Sequence, residues 1–317
     1  MNPRTVNRRR LLLGFGAAGS VAALAACGVN TNPLDQTSAA PSSGGSSTGA
    51  VGEIIVGSAD FTESEILAEL YAQALVAKQF TASTKTRIGS REIYLKALQD
   101  GSIQAIGEYS GNLLQFLDSG NPAQKAEDIV TALGSAVGPN LTVLQAAEAV
   151  DQDVYVVTRQ TSQQQGITSL ADLAKISATS VLGGPSELKD RPYGPPGLEQ
   201  IYNAKFKEFK AYDSPAVKVK DLNDNKIQVA SFFTTEAAII DNDYVMLEDP
   251  QQMILPQQVI PVVTAALGKD PKVVAVFNSV QAVLTTQALT ELNRKVDVDH
   301  SDPRTVAAEF LKSKNLA

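Results

Sequence analysis

The chain holds one thiol, Cys27, and one imidazole, His300, and the surroundings of each limit the chemistry it can carry. Cys27 follows Leu24-Ala25-Ala26 at the end of the uncharged run 11–26, behind Arg8, Arg9 and Arg10. A basic start, an apolar stretch and small residues before a cut point form the layout of a secretory signal. The apolar stretch is shorter than the ~20 residues of a membrane-spanning helix. His300 lies in the polar run Asp299-His300-Ser301-Asp302 and reads as a solvated loop histidine. One histidine builds neither a His-based metal site nor a catalytic triad. There is no Gly-x-x-x-x-Gly-Lys-Ser/Thr loop, no Gly-x-Gly-x-x-Gly and no Gly-x-Ser-x-Gly elbow. Gly183-Gly184-Pro185-Ser186 reads as a turn that ends a strand. The expectation is a protein without catalysis, cofactor or metal.

Charge points the same way. Residues 1–26 hold four of the 27 Lys and Arg and none of the 34 Asp and Glu, so the chain after the cut carries an excess of 11 negative charges. Such a balance disfavours nucleic acid, whose phosphates are met by Lys and Arg. With Cys27 at the cut site, no pair of thiols remains for a disulfide. Residues 28–50 are rich in Ser, Gly, Thr, Asn and Ala, ending in Ser42-Ser43-Gly44-Gly45-Ser46-Ser47. They read as a tether, residues 27–51, too polar to offset the entropy of ordering.

From residue 52 the pattern alternates. Ile54-Ile55-Val56 reads as a buried strand. A helix follows, with Thr62 and Glu65 at capping-box spacing and an apolar face of Ile66, Leu67, Leu70, Ala74 and Leu75. Ser90 is placed to cap a helix carrying Ile93, Leu95 and Leu98. Further strands are expected at Ile103–Ile106, Val154–Val157, Ser180–Leu182, Val229–Phe233 and Val259–Val263. Asp270-Pro271 and Asp302-Pro303 each set an acidic cap before a proline at the first helical position. The alternation predicts an α/β protein with mainly parallel sheets.

Two resemblances extend this reading. Leu24-Ala25-Ala26-Cys27 resembles the lipobox of bacterial lipoproteins, which implies lipid on Cys27 and a place at the outer face of the cell membrane. Asn7-Arg8-Arg9-Arg10-Leu11-Leu12 is also similar to a twin-arginine export signal. The segment Gly57-Ser58-Ala59-Asp60-Phe61-Thr62-Glu63-Ser64-Glu65-Ile66-Leu67-Ala68-Glu69 resembles the opening of the osmoprotectant-binding family, the substrate-binding proteins of ABC transporters for glycine betaine, choline and carnitine. Similar blocks follow in family order: Gly89–Leu98, Gly107–Asn112, Glu187–Gly194 with Pro196-Gly197-Leu198, Phe233–Glu236, Leu247–Pro250 and Val259–Val263.

The resemblance implies a two-lobed type II periplasmic-binding-protein fold with the ligand in a cleft between lobes. Lobe I would be residues 52–146 plus 264–317, and lobe II residues 147–263. A quaternary ammonium donates no hydrogen bond, so its recognition rests on cation–π attraction and methyl packing. Carried over from the family, Tyr109 and Tyr155 are expected cage walls and Phe233 a third. Phe209 and Tyr212 compete for the fourth wall, with Tyr212 preferred. Asn112 and Thr235 are expected polar edges, and Arg191 is expected to hold a ligand carboxylate. Tyr71 and Tyr94 read as packing residues. Ala59, Phe233, Tyr193 and Pro195-Pro196 depart from the family pattern and bear on which solute is bound. The implied partners are a quaternary-ammonium solute and a permease driven by a separate ATPase, with the chain a monomer. Another small solute on the same scaffold, or an exported enzyme, are the alternatives.

Overall fold

The computed structural model describes residues 52–317; the export segment, Cys27 and the tether lie outside the described residues. Ten strands form two five-stranded sheets. The first has β1 (Ile54–Gly57), β2 (Ala82–Lys85), β3 (Ala105–Tyr109), β4 (Leu141–Val143) and β10 (Val259–Thr264), in the order β2-β1-β3-β10-β4. The second has β5 (Asp153–Thr158), β6 (Val181–Gly184), β7 (Glu208–Ala211), β8 (Val229–Phe233) and β9 (Tyr244–Met246), in the order β7-β6-β8-β5-β9. Each sheet is parallel apart from one reversed strand: β10 runs antiparallel to β3 and β4, and β5 antiparallel to β8 and β9. The reversed strands are those next to the two places where the chain crosses between sheets.

The first sheet is covered on both faces, which is why β10 reads as the unbroken apolar run Val259-Ile260-Pro261-Val262-Val263. Val259 and Val263 pack with Leu67, Tyr71 and Phe277 on one side, Ile260 and Val262 with Leu98, Leu113 and Leu133 on the other. The second sheet is flanked by Leu170, Leu173 and Leu198 on one face and by Leu222, Ile239 and Tyr244 on the other.

Four sequence expectations need correction. β10 pairs with β3 and β4 in the first sheet, so a second lobe running to 263 includes a strand of the first; the return crossing lies within residues 247–258. The two crossings run side by side, joined by a bridge between Val150 and Gln258 and by the amide of Asp151 donating to the Gln257 carbonyl at 3.1 Å. β3 begins at Ala105, two residues later than read. The Thr62–Glu65 capping box does not form: Thr62 donates to Asp297 at 2.6 Å and Glu65 pairs with Arg87 at 2.5 Å. The Ser90 side chain does not cap its helix but donates to Glu92 at 2.7 Å, and Ile93 is exposed. The two Asp-Pro starts do cap as read, Asp270 accepting from the amides of Lys272 and Val273, and Asp302 from Thr305.

Tyr71 and Phe277 set the depth of the first core. Their rings lie 5.0 Å apart, and the Tyr71 hydroxyl donates to Gln281 at 2.8 Å. Gln281 in turn donates to the Val259 carbonyl at 2.8 Å, fixing the helix Pro271–Gln281 to the start of β10. Phe277→Ala empties the middle of this stack, and its expected loss in urea unfolding is about 3–5 kcal/mol.

Candidate ligand-binding site

A cavity of about 620 Å³ lies between the two sheets, lined from both sides and from the crossings, within the size of small-molecule sites. Its aromatic end is built where strands stop. Phe61 ends the loop after β1 in extended backbone, before the helix Thr62–Ala77; Tyr109 ends β3, and Phe233 ends β8. The Phe61 ring stands 5.2 Å from Phe233 and 5.9 Å from Tyr109, tilted to both. Phe61 is thus the ring that joins a first-sheet wall to a second-sheet wall.

Of the expected site residues, Tyr109, Asn112, Arg191, Tyr212, Phe233 and Thr235 line this cavity. Tyr155 does not. It is 1% exposed in the second-lobe core and donates its hydroxyl to the Tyr193 carbonyl at 2.7 Å. β5 enters the cavity at Asp153, and two residues along a strand is about 6.6 Å deeper on the same face. Tyr193, itself a lining residue, takes the surface above Tyr155. Phe209 packs against the second core and Tyr212 reaches the cavity, its hydroxyl donating to Asp221 at 2.8 Å. Tyr71 is a packing residue, whereas Tyr94 lines the cavity as well as packing.

The polar residues are engaged with the protein. Asn112 donates to Asp153 at 2.5 Å and accepts from Gln257 at 2.6 Å. Thr235 donates to Glu63 at 2.7 Å. Arg191 spends its terminal nitrogens on Glu92 of the first lobe at 2.6 and 3.2 Å, with its guanidinium 5.5 Å from the Phe116 ring; its Nε has no acceptor. The bond from Arg191 holds the Glu92 carboxyl down at about 2. Every other lining cation is similarly committed: Arg87 to Asp60 and Glu65, Arg91 to Glu108 at 2.8 and 2.9 Å, and Lys218 to Glu236 at 3.5 Å.

Sequence reading gave no site role to Phe61 or to three buried carboxyls, Glu63, Asp151 and Asp153, and marked Tyr193 only as a departure from the family pattern. Each lies inside or beside a segment already singled out, but their convergence is a property of the topology. Glu63 accepts from Tyr109 and Asn293 as well as Thr235, at 2.8 and 2.7 Å for the two added bonds. Burial raises Glu63, against the pull of its donors, and raises Asp151, with Glu63 adding to the rise. Burial pushes Asp153 up to about 6. Among the described residues no group of three or more metal-ligating side chains is placed to hold a metal ion.

A family profile described as the substrate-binding domain of an ABC-type glycine betaine transport system matches residues 52–313. The glycine-betaine-binding protein of Pseudomonas aeruginosa is 24% identical over 276 residues, covering 82% of this chain and 88% of the relative. The glycine betaine-binding protein YehZ of Escherichia coli K12 is 25% identical over 280 residues, covering 84% and 92%. Among solved structures, a glycine betaine/carnitine/choline ABC transporter protein superposes with a TM-score of 0.67 at 22% identity, covering 83% of this chain and 99% of the other.

The Asp153 carboxyl gives the site a measurable pH signature. Its folded value lies above the ordinary 3.8, so the folded state holds the proton more tightly and stability falls as pH rises from about 4 to about 6. Asp153→Asn keeps an acceptor for Asn112 and removes that titration. Urea unfolding across this window is expected to give a shallower fall in the variant; equal slopes would remove Asp153 as its source.

Proposed function

Since the chain belongs to the family of substrate-binding domains of ABC-type glycine betaine transport systems, we propose that its cleft captures a quaternary-ammonium solute, glycine betaine or a near relative, against Phe61, Tyr109 and Phe233. The protein is the solute-binding component of an ABC importer and works with a membrane permease. The observation that carries the choice of solute is the meeting of three aromatic rings from two sheets in the lining of one cavity. Ring faces attract a cation that has no hydrogen to donate, each contributing about 0.5–2 kcal/mol, more where water is excluded.

Delivery follows from the two crossings. A solute touching walls from both sheets favours the state in which they meet, and this closed state is what a permease distinguishes from the open one. Export with lipid on Cys27 would keep the domain beside its permease and raise the local concentration for docking.

One observation favours a second reading of the solute. All four lining cations are paired with protein carboxylates, so no guanidinium fork stands free for a solute carboxylate. A cation with no carboxylate, such as choline, then fits as well as a zwitterion.

Isothermal titration of the mature chain with glycine betaine, choline and carnitine tests the reading. Micromolar binding is expected, weakened at least about tenfold in Phe61→Ala and in Tyr109→Ala. Tyr155→Phe, which loses only the bond to the Tyr193 carbonyl, is expected to change affinity less than about threefold. No heat with any of the three solutes would overturn quaternary-ammonium capture, and choline tighter than betaine would select the second reading.

A further inference from the structure

Glu63 and Asp151 are 3% and 2% exposed, and both accept from the same residue, Thr235. Four segments meet on them: the first turn of the helix Thr62–Ala77, the end of β3, the first crossing and the loop after β8, with Asn293 of the helix Thr286–Asp297 closing the group. Thr235 is the centre of the joint. Its hydroxyl donates to Glu63 Oε2 at 2.7 Å and its amide to Asp151 Oδ1 at 3.2 Å. Thr234 also donates to Asp151 Oδ1, at 3.3 Å.

The donors are unevenly shared. Glu63 receives three, from Tyr109, Thr235 and Asn293, as an ionised carboxylate does. Asp151 receives its donors on Oδ1 alone, and Oδ2 is buried with none. No Lys or Arg is bonded to either group among the described residues. Two ionised carboxylates sharing one threonine, out of water and without a cation, repel strongly, and a proton on Oδ2 removes the repulsion and the missing partner together.

We infer that Asp151 keeps a proton on Oδ2 at neutral pH and donates it to Glu63, and that this proton makes the two acids positioning residues, holding the Tyr109 hydroxyl and Thr235 in the arrangement that captures solute. The inference rests on the capture reading for the last step only. The group is a joint between lobes: Glu63, Tyr109 and Asn293 belong to the first, Thr234 and Thr235 to the second. Burial and the neighbouring Glu63 raise Asp151, so the joint is strongest below its folded value and weakens as pH rises through it. Other titratable groups face it from each element. Tyr71 and Tyr109 are raised beyond the neutral range; Asp153 titrates at about 6, below the range of interest; Glu108 and Glu236 are paired with Arg91 and Lys218, and Arg294 with Asp241. Asp297, on the same helix as Asn293, is raised by burial and bonded to Thr62.

Infrared difference spectra between the wild-type chain and Asp151→Asn test the proton with no solute present. At about pH 7.5 the wild type is expected to show the carbonyl stretch of a protonated carboxyl that the variant lacks; identical spectra in that region overturn the inference, whatever the solute proves to be. Titration with the solute found to bind tests positioning. Asparagine supplies an N–H where the proton stood, so Asp151→Asn is expected within about threefold of wild type, and Asp151→Ala at least about tenfold weaker. An asparagine variant as weak as the alanine variant would mean that charge, not a donor, is required, and would overturn it. Thermal unfolding of each variant separates loss of the joint from loss of the fold, and the infrared result stands if the alanine variant does not fold.

Discussion

The carboxylate of Glu63 is buried at the seam of the molecule with no cation bonded to it, and the arrangement of the cleft answers that constraint. An ionised group out of water requires compensation from donors, and Glu63 draws them from Tyr109, Thr235 and Asn293. One donor is a wall of the aromatic end, one is on the opposite lobe, and one is on a helix late in the chain. The hydroxyl of Tyr109 is thereby turned inward, leaving its ring to face Phe61 and the cavity. Satisfying one acid thus sets the pose of a wall and brings two lobes into register, which links the polar interior of the cleft to its apolar surface.

The same economy governs the crossings. Gln257 is fully buried in the returning segment, with its side chain exchanging bonds with Asn112: the amide of Asn112 donates to Gln257 Oε1 at 2.9 Å, and Gln257 Nε2 donates to Asn112 Oδ1 at 2.6 Å. Asn112 then reaches Asp153 in the outgoing strand. A first-lobe helix end is so tied to both crossings. Gln281 does the same from the other face, donating to Gln145 and Val259. The crossings are thus bonded to the first lobe as well as, through Asp151 and Gln152, to Thr234 and Thr235 of the second, with Arg191–Glu92 and Arg294–Asp241 as contacts between the two at the rim.

Periodicity and caps made much of the fold legible: the strand at Ile54–Val56, which the structure extends to Gly57, the two Asp-Pro helix starts, and the α/β alternation, while the division into two lobes came from the family resemblance. What periodicity does not carry is partnership. The apolar run Val259–Val263 reads as a strand in either lobe, and only its pairing with β3 and β4 assigns it to the first. Thr62 and Glu65 have the spacing of a capping box, yet Asp297 and Arg87 arrive from elsewhere and take both side chains. The site divides similarly. Tyr109, Tyr212 and Phe233 were expected from the family resemblance, and the structure brings all three to the cavity, at a strand end or in a segment beside one. Tyr155 was misplaced because the depth of a residue along a strand depends on where the strand meets the cleft, and here Asp153 is at that edge. Phe61 and Glu63 sat within the most recognisable block of the chain, but nothing in one sequence says that a ring from residue 61 will lie against one from residue 233.

The commitment of the lining polar groups to one another bears on what the cleft can hold. A solute rich in hydrogen-bonding groups gains from a pocket only where donors and acceptors wait unpaired, because displaced partners are otherwise left unsatisfied at about 1–3 kcal/mol each. In this cleft Asn112, Thr235, Glu63, Arg91 and Lys218 already hold protein partners. A trimethylammonium asks nothing of them, having no hydrogen to give and no lone pair to offer. It needs ring faces, close packing and a surrounding without excess positive charge. The three rings supply the first, and the pairing of every lining cation with a carboxylate supplies the last. A polar lining bonded within itself and an apolar end open to a cation are therefore complementary features of one design, in which selectivity comes from what the site no longer has left to bond.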